Sequence, residues 1–287
     1  MTRRSKGRSA YGAAMMKTLE SHVPSAERLF DDPMIAEFLP APLRLALRAA
    51  WVRERFRTMM EREAPGVLGT MVCRTRYIDD AIRKAAADGI ETVVLLGAGL
   101  DTRAYRLPEL RTTTVIEIDL PSVQSRKTAR LARCGGTPAH VRYIPTDLAA
   151  EPLASTLARA GLAPDARALF VWEGVTQYLP GDAVSGVVRV LGARPRGTEL
   201  LFTYIVEDAV TGRFLPGRSD AFRKSAARQP EPWLFGLDPA DVAPFLSERG
   251  FTLVEDIGAS DYEARYLRPR SRTLAVTGIE RVARAAV

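Results

Sequence analysis

The chain has 287 residues, of which 46% are hydrophobic and 26% charged, and its formal net charge is +7; this suits one large soluble domain, or a domain with a cap. No apolar run approaches the ~18 residues of a membrane span, and two cysteines and two histidines argue against a disulfide framework or a metal site. Because the basic residues are scattered among 34 acidic ones, nucleic acid is disfavoured as a partner. We expect a cytoplasmic protein with a small-molecule substrate, and the positive charge is also compatible with an anionic one.

The first 69 residues predict a helical cap at the N-terminus. In the stretch 45–60, apolar residues from Leu45 to Met59 recur at steps of three and four, as they do on one face of a helix. The sequence APG then ends the segment. No strand pattern is convincing before residue 91, so the strands are expected after the cap.

From residue 91 onward, short apolar runs alternate with helical stretches. Such β-branched runs, ended by turn residues, are typical of buried parallel strands. The predicted strands cover 92–97, 113–120, 141–148, 168–174, 199–206, 251–257 and 271–281. Seven strands with intervening helices predict an α/β fold with a doubly wound, mostly parallel sheet. Because the sequence leaves no room for a clear helix before the seventh strand, we expect that strand to be antiparallel.

Residues 207–238 interrupt this alternation and predict an inserted lid. The segment is rich in turn residues and carries Phe214, Phe222, Trp233 and Phe235. It follows the fifth strand and would therefore lie above the carboxyl ends of the strands, where ligands bind in such sheets. A packed surface excursion is an equal alternative to a lid.

The loop after the first predicted strand is a candidate ligand-binding element. Gly97 and Gly99 permit positive φ angles and a close approach of the backbone to a ligand. A dinucleotide fingerprint requires a third glycine where this chain has Thr102. Asp101 also places a negative charge where a pyrophosphate would lie. The loop therefore favours a ligand without phosphates, such as S-adenosylmethionine, over a nicotinamide cofactor.

Acidic residues end the next three predicted strands. Asp119 can accept hydrogen bonds from a ribose diol, and Glu117 on the same strand competes for that role. Asp147 can accept from an adenine amino group while the backbone of Leu148 addresses the ring. Glu173 would project toward the amino-acid end of the cofactor and pair with its ammonium group.

Several motifs resemble the leucine carboxyl methyltransferase family of S-adenosylmethionine-dependent enzymes. They are GAGLDTRAYRL at 97–107, EIDLPSVQSRK at 117–127 and WEGVTQYL at 172–179, with CRTRYIDD at 73–80 and LFDDPMI at 29–35 upstream. That family includes protein phosphatase methyltransferases and bacterial polyketide O-methyltransferases of the tetracenomycin type. The resemblance covers roughly residues 10–280 and implies a Rossmann-like methyltransferase domain over 70–287.

The resemblance also implies roles for individual residues. Arg74 is similar to the arginine that pairs with the carboxylate of the cofactor, although Arg76 is close enough to compete. Lys17 is similar to a basic residue that the cap contributes. The implied cofactor-binding residues are Lys17, Arg74, Gly97, Gly99, Asp119, Asp147, Leu148 and Glu173.

The methyl acceptor is expected to be a small molecule, because the chain is shorter between strands two and four than the phosphatase-modifying branch. A carboxylate of a secondary metabolite is placed ahead of a phenol or alcohol. With an unperturbed pKa near ~4, a carboxylate needs no general base, which agrees with the scarcity of histidine. For a hydroxyl acceptor, His22, Tyr178 and Glu173 are the candidate bases, and Tyr178 is as well explained by packing.

Two other classes of function stay open. An RNA-modifying relative is supported only by the charge of +7. The other class is a nicotinamide enzyme or a non-catalytic cofactor-binding protein. Asp101 and Thr102 oppose only the nicotinamide enzyme.

Overall fold

A mixed sheet of seven strands forms the centre of the computed structural model, which describes residues 8–213 and 232–287. The strands are β1 (Thr92–Leu96), β2 (Thr114–Asp119), β3 (Val141–Pro145), β4 (Leu169–Trp172), β5 (Glu199–Ile205), β6 (Thr252–Ile257) and β7 (Glu280–Ala286). Their order is β3-β2-β1-β4-β5-β7-β6. Strands β1 to β5 are parallel, and β7 is antiparallel to both β5 and β6. The predicted mostly parallel sheet with an antiparallel last strand is confirmed.

Both faces of the sheet are buried at its centre, which explains why β1, β4 and β5 read as continuous apolar runs. In β1, Val93 and Leu95 belong to one hydrophobic cluster, whereas Val94 and Leu96 belong to the other. The alternation of side chains along a strand thus supplies two cores at once. The described α-helices are α1 (Arg8–Glu20), α2 (Ala41–Ala46), α3 (Ala50–Glu63), α4 (Val67–Ala87), α5 (Arg103–Arg106), α6 (Pro121–Leu131), α7 (Leu153–Arg159), α8 (Gly181–Gly192), α9 (Glu207–Thr211), α10 (Val242–Ser247) and α11 (Ala259–Tyr262).

The N-terminal region is helical, as expected, but its amphipathic stretch is not one helix. Ala49 takes an extended conformation between α2 and α3, so the helical phase is reset there. Leu45 and Met59 are consequently 65% and 50% exposed instead of sharing one buried face. Helix α4 runs across the boundary predicted at residue 69 and joins the cap to the sheet.

The position of the last strand differs from the sequence prediction. Residues 272–279 form no part of β7 and run beside α4, where the N–H of Thr277 donates to the carbonyl oxygen of Gly66 at 3.1 Å. This segment therefore packs against a helix and does not pair as a strand. Helical turns, including α11, also lie between β6 and β7, where the sequence suggested no room for a helix. They are stabilised there because their apolar residues are buried against α4.

The predicted lid is described only in part. Helix α9 follows β5, and the described residues resume at 232. Phe214 and Phe222 lie outside the described residues. The N–H of Leu234 donates to the carbonyl oxygen of Gln177 at 2.7 Å, and Leu237 forms an isolated bridge with Val206. The returning segment thus lies at the carboxyl edge of the sheet. Within the described ranges, no helix combines the length and apolar character that a membrane crossing requires.

Candidate active site

A cavity of about 850 Å³ opens at the carboxyl edge of the sheet. Its volume lies within the range of about 300–1,000 Å³ that is usual for small-molecule sites. Nine of the ten residues assigned from the sequence to cofactor binding or catalysis line it, namely Lys17, Arg74, Gly97, Gly99, Asp119, Asp147, Leu148, Glu173 and Tyr178. They come from α1, α4 and the segments that follow β1 to β4, so the fold gathers them from distant parts of the chain.

His22 is the predicted site residue that the cavity does not include. Helix α1 ends at Glu20, and His22 lies in the turn beyond it with an exposed side chain. Its Nδ1 lies 2.9 Å from the carbonyl oxygen of Thr18. Because the chain leaves the helix face that carries Lys17, the structure does not support His22 as a general base.

The loop after β1 presents backbone to the cavity. Gly97 and Gly99 have φ angles of 69° and 49°, a region that favours glycine. A Cβ atom on Gly97 would lie 2.4 Å from Cγ2 of Val175 in the loop after β4. Glycine at 97 is therefore required both by its φ angle and by the close approach of a second loop.

The carboxylate of Asp119 is held at the end of β2 by backbone donors. The N–H of Gly99 donates to Oδ2 and the N–H of Leu120 to Oδ1, each at 2.6 Å. Burial raises the pKa of Asp119, whereas these two hydrogen bonds oppose the rise. Each oxygen keeps a second acceptor position. Glu117, its competitor, is fully buried away from the cavity and accepts from Lys127 at 2.6 Å, so Asp119 is the acid available to a ligand.

Asp147 and Leu148 are half-buried in the turn after β3 and line the same cavity. The Oδ1 of Asp147 accepts a hydrogen bond from the N–H of Ala149 at 3.1 Å. This contact orients the turn. Strands β2 and β1 lie between these two residues and Glu173, which leaves room for an extended ligand along the edge of the sheet.

Glu173, after β4, lies at the centre of a buried ionic cluster. Its Oε1 accepts from Nε of Arg74 at 2.8 Å, and its Oε2 accepts from Nη1 of Arg103 at 2.6 Å. The ammonium of Lys17 lies 4.0 Å from Oε1. Although burial acts to raise it, the charges of Arg103, Lys17 and Arg74 hold the pKa of Glu173 well below its usual range. Glu173 is therefore ionised at neutral pH.

Arg74, and not Arg76, is the arginine of α4 that reaches the cavity. Arg74 is buried and bonds to Glu173, to Glu280 and to Sδ of Met71. Arg76 is half-buried, and its Nε donates to both oxygens of Asp80 at 2.9 Å outside the cavity. The structure thus resolves a choice that spacing alone left open.

Sequence reasoning missed a set of buried charges beneath the cavity. Arg103 is 1% exposed and donates to Asp79 at 2.8 Å and to Asp101 at 2.5 Å. Arg106, one helical turn later, donates to both oxygens of Asp79 at 2.7 Å, and its Nε lies 3.5 Å from Asp32. Buried charges require such partners, and here they hold Arg103 against Glu173. Two arginines three residues apart in a short apolar stretch were the available signal.

Glu280 was also missed. It begins β7, pairs in register with Ile205 of β5, and lines the cavity. Its Oε1 accepts from Nη1 of Arg74. Because the sequence prediction placed the last strand too early, residue 280 did not appear there as a strand-start residue facing the site.

These residues fit S-adenosylmethionine. Asp119 offers acceptors for a ribose diol, and Glu173 offers a carboxylate for an ammonium group, while Lys17 and Arg74 offer cations for a carboxylate. The glycine loop has no room for a side chain at 97. The donor set therefore matches a nucleoside joined to a zwitterionic amino acid.

Comparison with known proteins identifies relatives of this chain. Residues 10–192 match the model of a family described as leucine carboxyl methyltransferase. A protein of Frankia alni assigned to the S-adenosyl-L-methionine-dependent methyltransferases is 35% identical over 190 residues, which are 65% of this chain and 64% of the relative. One from Mycolicibacterium paratuberculosis with the same assignment is 34% identical over 220 residues, or 75% of this chain and 67% of the relative. For a relative from Mycobacterium marinum the chain spans only 47% of its length.

Solved structures share the fold. A DUF574 family protein from Streptomyces avermitilis aligns with a TM-score of 0.58 and 16% identity over 96% of both chains. An O-methyltransferase family protein from Burkholderia thailandensis aligns with a TM-score of 0.50 and 14% identity over 88% of this chain and 67% of the other. At these identities the likeness concerns the fold.

Proposed function

The chain belongs to the leucine carboxyl methyltransferase family, and we propose that it is an S-adenosylmethionine-dependent methyltransferase that acts on an oxygen atom of a small molecule. The observation that carries this proposal is the arrangement of Glu173, Arg74 and Lys17 at one end of the cavity and of Asp119 at the other. The charged groups at the first end suit an amino acid, and the carboxylate acceptor at the second end suits a ribose joined to it.

In this proposal the edge of the sheet binds the adenosine. Gly97 and Gly99 bring the backbone close to the ligand, and Asp119 accepts from the ribose hydroxyls. Asp147 accepts from the adenine amino group beside Leu148. Because Asp119 is already held by two backbone N–H groups, it needs little reorganisation to bind.

The buried ionic cluster would hold the methionine end. Glu173 pairs with the ammonium group, and Arg74 and Lys17 pair with the carboxylate. Because Arg103 already holds Glu173 at 2.6 Å, the position of the ammonium would be fixed relative to the sheet. When bound, the cofactor supplies a methyl group on a cationic sulfonium.

The chain itself would contribute mainly orientation and exclusion of water. Groups held in line can lower a barrier by about 7–11 kcal/mol. The apolar side chains of the remaining cavity wall, among them Met16, Met71 and Ile205, would keep the acceptor against the cofactor. A lid role for the described parts of the insertion, 207–213 and 232–238, belongs to the proposal and is supported by Trp233 and Leu234, which line the cavity.

Calorimetric titration tests this function. We expect the protein to bind S-adenosylmethionine and S-adenosylhomocysteine and to show no heat with NAD. Asp119→Ala should weaken cofactor binding by at least about tenfold, equivalent to ~1.4 kcal/mol, because the ribose acceptor is removed. Asp88→Ala, which alters an exposed acid paired with Lys84, is the matched control and should leave affinity unchanged.

Other results would point to the other classes of function. Tight binding of NAD without binding of S-adenosylmethionine would overturn the proposal. An affinity of Asp119→Ala within about twofold of the wild type would refute the ribose assignment. Binding of bulk tRNA that weakens steeply with salt would favour an RNA-modifying enzyme.

A further inference from the structure

The charges around the cavity bear on the nature of the methyl acceptor. The described lining contains five carboxylates and two cations, namely Asp101, Asp119, Asp147, Glu173 and Glu280 against Lys17 and Arg74. Both cations lie beside Glu173, at 4.0 Å and 2.8 Å, where the carboxylate of the cofactor would bind. Among the described residues, the lining thus offers an anionic acceptor no cation besides these two, and Arg74 already pairs with both Glu173 and Glu280.

The space left for the acceptor lies on the far side of Arg74. Adenosine and methionine would take the edge from β3 to β4, which leaves the part beneath the cap and beside β5 and β7. The described walls there are mostly apolar, with Met16, Met60, Val67, Ile205, Trp233 and Ile279 among them. Such walls favour an acceptor with a large apolar body.

Glu280 is the acid on this side of the cavity. Arg74 bridges Glu173 and Glu280, since its Nε binds the first carboxylate and its Nη1 the second. The side chain of Glu280 is 13% exposed, toward the cavity that it lines. In the described part of the chain its Oε2 accepts no hydrogen bond. An acceptor group beside Glu280 therefore meets a fixed carboxylate with a vacant oxygen.

We propose that the methyl acceptor is an uncharged, largely apolar hydroxyl compound whose hydroxyl donates to Glu280, and that Glu280 takes its proton during methyl transfer. This inference rests on the proposed function and reverses the order in which the sequence placed carboxyl and hydroxyl acceptors. An anionic acceptor at the same place would lie against the carboxylate of Glu280, and such like-charge contacts weaken binding.

The step balances in atoms and charge. The acceptor oxygen forms a bond to the methyl carbon, and the carbon–sulfur bond breaks with its electron pair left on sulfur. The hydroxyl proton passes to Oε2 of Glu280. The positive sulfonium and the negative carboxylate are thus neutralised together, a change that an apolar cavity favours because it stabilises separated charges poorly.

Binding of two matched probes tests this assignment. At about pH 7, para-phenylphenol is neutral and para-phenylbenzoate is anionic, as phenol and carboxylic acid pKa values of ~10 and ~4 require. Each is titrated into the wild-type protein saturated with S-adenosylhomocysteine. We expect the phenol to bind at least about tenfold more tightly than the benzoate because of the charge of Glu280.

Variants then separate Glu280 from the rest of the fold. Glu280→Gln should reduce the ratio of the two affinities at least about fivefold, mainly because the benzoate binds more tightly to an amide. Any methylation of the phenol, followed by mass spectrometry, should slow by roughly a hundredfold without the proton acceptor. Glu199→Gln is the matched control, since Glu199 pairs with Arg284 across the same two strands but outside the cavity. It should leave the ratio unchanged.

The two proposals fail separately. Absence of S-adenosylhomocysteine binding would overturn the proposed function before any probe is added. If S-adenosylhomocysteine binds normally to the wild type and to Glu280→Gln, three results overturn the acceptor assignment. They are tighter binding of the benzoate by the wild type, an unchanged ratio in Glu280→Gln, and no binding of the phenol up to its solubility limit.

Discussion

At the scale of single residues, Lys17 shows how burial sets up a binding group. Burial lowers the pKa of Lys17 below its ordinary value of 10.5, Glu173 raises it, and Arg103 lowers it again. The ammonium is therefore less stable in the free protein than in water, and a ligand carboxylate would restore its favourable surroundings. In the proposed function, the lysine would thereby be prepared for the carboxylate of the cofactor.

The affinity for S-adenosylhomocysteine should consequently depend on the protonation of Lys17. Binding of a carboxylate raises the pKa of the lysine, so binding is strongest below the lowered pKa of the free protein and weakens as pH rises through it. Lys17→Met should weaken binding at neutral pH by roughly tenfold or more and remove this component of the pH dependence. Calorimetry gives the affinities of the wild type and of Lys17→Met from neutral pH upward. The ligand's own amino group titrates in both series, so its contribution cancels when the two binding free energies are subtracted. Parallel curves would show that Lys17 does not contact the carboxylate.

At the scale of elements, the packing of the segment 272–279 on helix α4 depends on a close backbone contact. A Cβ atom on Gly69 would lie 2.0 Å from the carbonyl oxygen of Ala275. The N–H of Thr277 donates to Gly66 at the start of the same helix. This contact brings Thr277 and Ile279 to the cavity wall, so it shapes the side of the cavity that we propose for the acceptor.

Gly69→Ala should therefore destabilise the protein by about 1–3 kcal/mol, because backbone must move to admit the methyl group. Gly186→Ala in α8 is the matched control, since no atom lies within 4 Å of the added carbon there. That variant should gain about 0.5–1 kcal/mol from helix propensity. Unfolding in denaturant measures both free energies, and equal stability of the two variants would refute the close contact.

At the scale of the whole molecule, the cap and the sheet share one core. Leu29, Ile35 and Leu47 of the cap belong to the same hydrophobic cluster as Val93 and Leu95 of β1. Polar contacts add to this interface: the hydroxyl of Thr102 donates to Asp32 at 2.5 Å, and Arg272 donates to Glu20 at 2.6 Å. The sequence predicts residues 1–69 as a separate cap. Their described part instead shares one hydrophobic core with the sheet.

Heating should therefore unfold the cap and the sheet in one transition, with equal calorimetric and van't Hoff enthalpies. S-adenosylhomocysteine at a hundred times its Kd should stabilise the protein by about 2.7 kcal/mol and shift that single transition upward. Scanning calorimetry makes both measurements. Two separate transitions, only one of them moved by the ligand, would contradict a shared core.

The sequence by itself determined the features that depend on neighbours along the chain. The strand pattern from β1 to β6, the glycines at 97 and 99 and the acids at 119, 147 and 173 follow from alternation, turn residues and motif spacing. Such features are local, because a strand's alternation and a loop's φ angles are set within a few residues. They were sufficient to predict the fold class and the family.

Only the tertiary structure decided which distant residues meet. Arg74 and Glu280 are 206 positions apart, and Arg103 and Glu173 are 70 apart. Insertion of β7 between β5 and β6, with 272–279 packed on α4, carried Glu280 to the cavity although the sequence placed this strand too early. The exposure of Leu45 and the position of His22 also followed from where helices end. Pairings of this kind depend on packing between elements far apart in the chain, which no local pattern records.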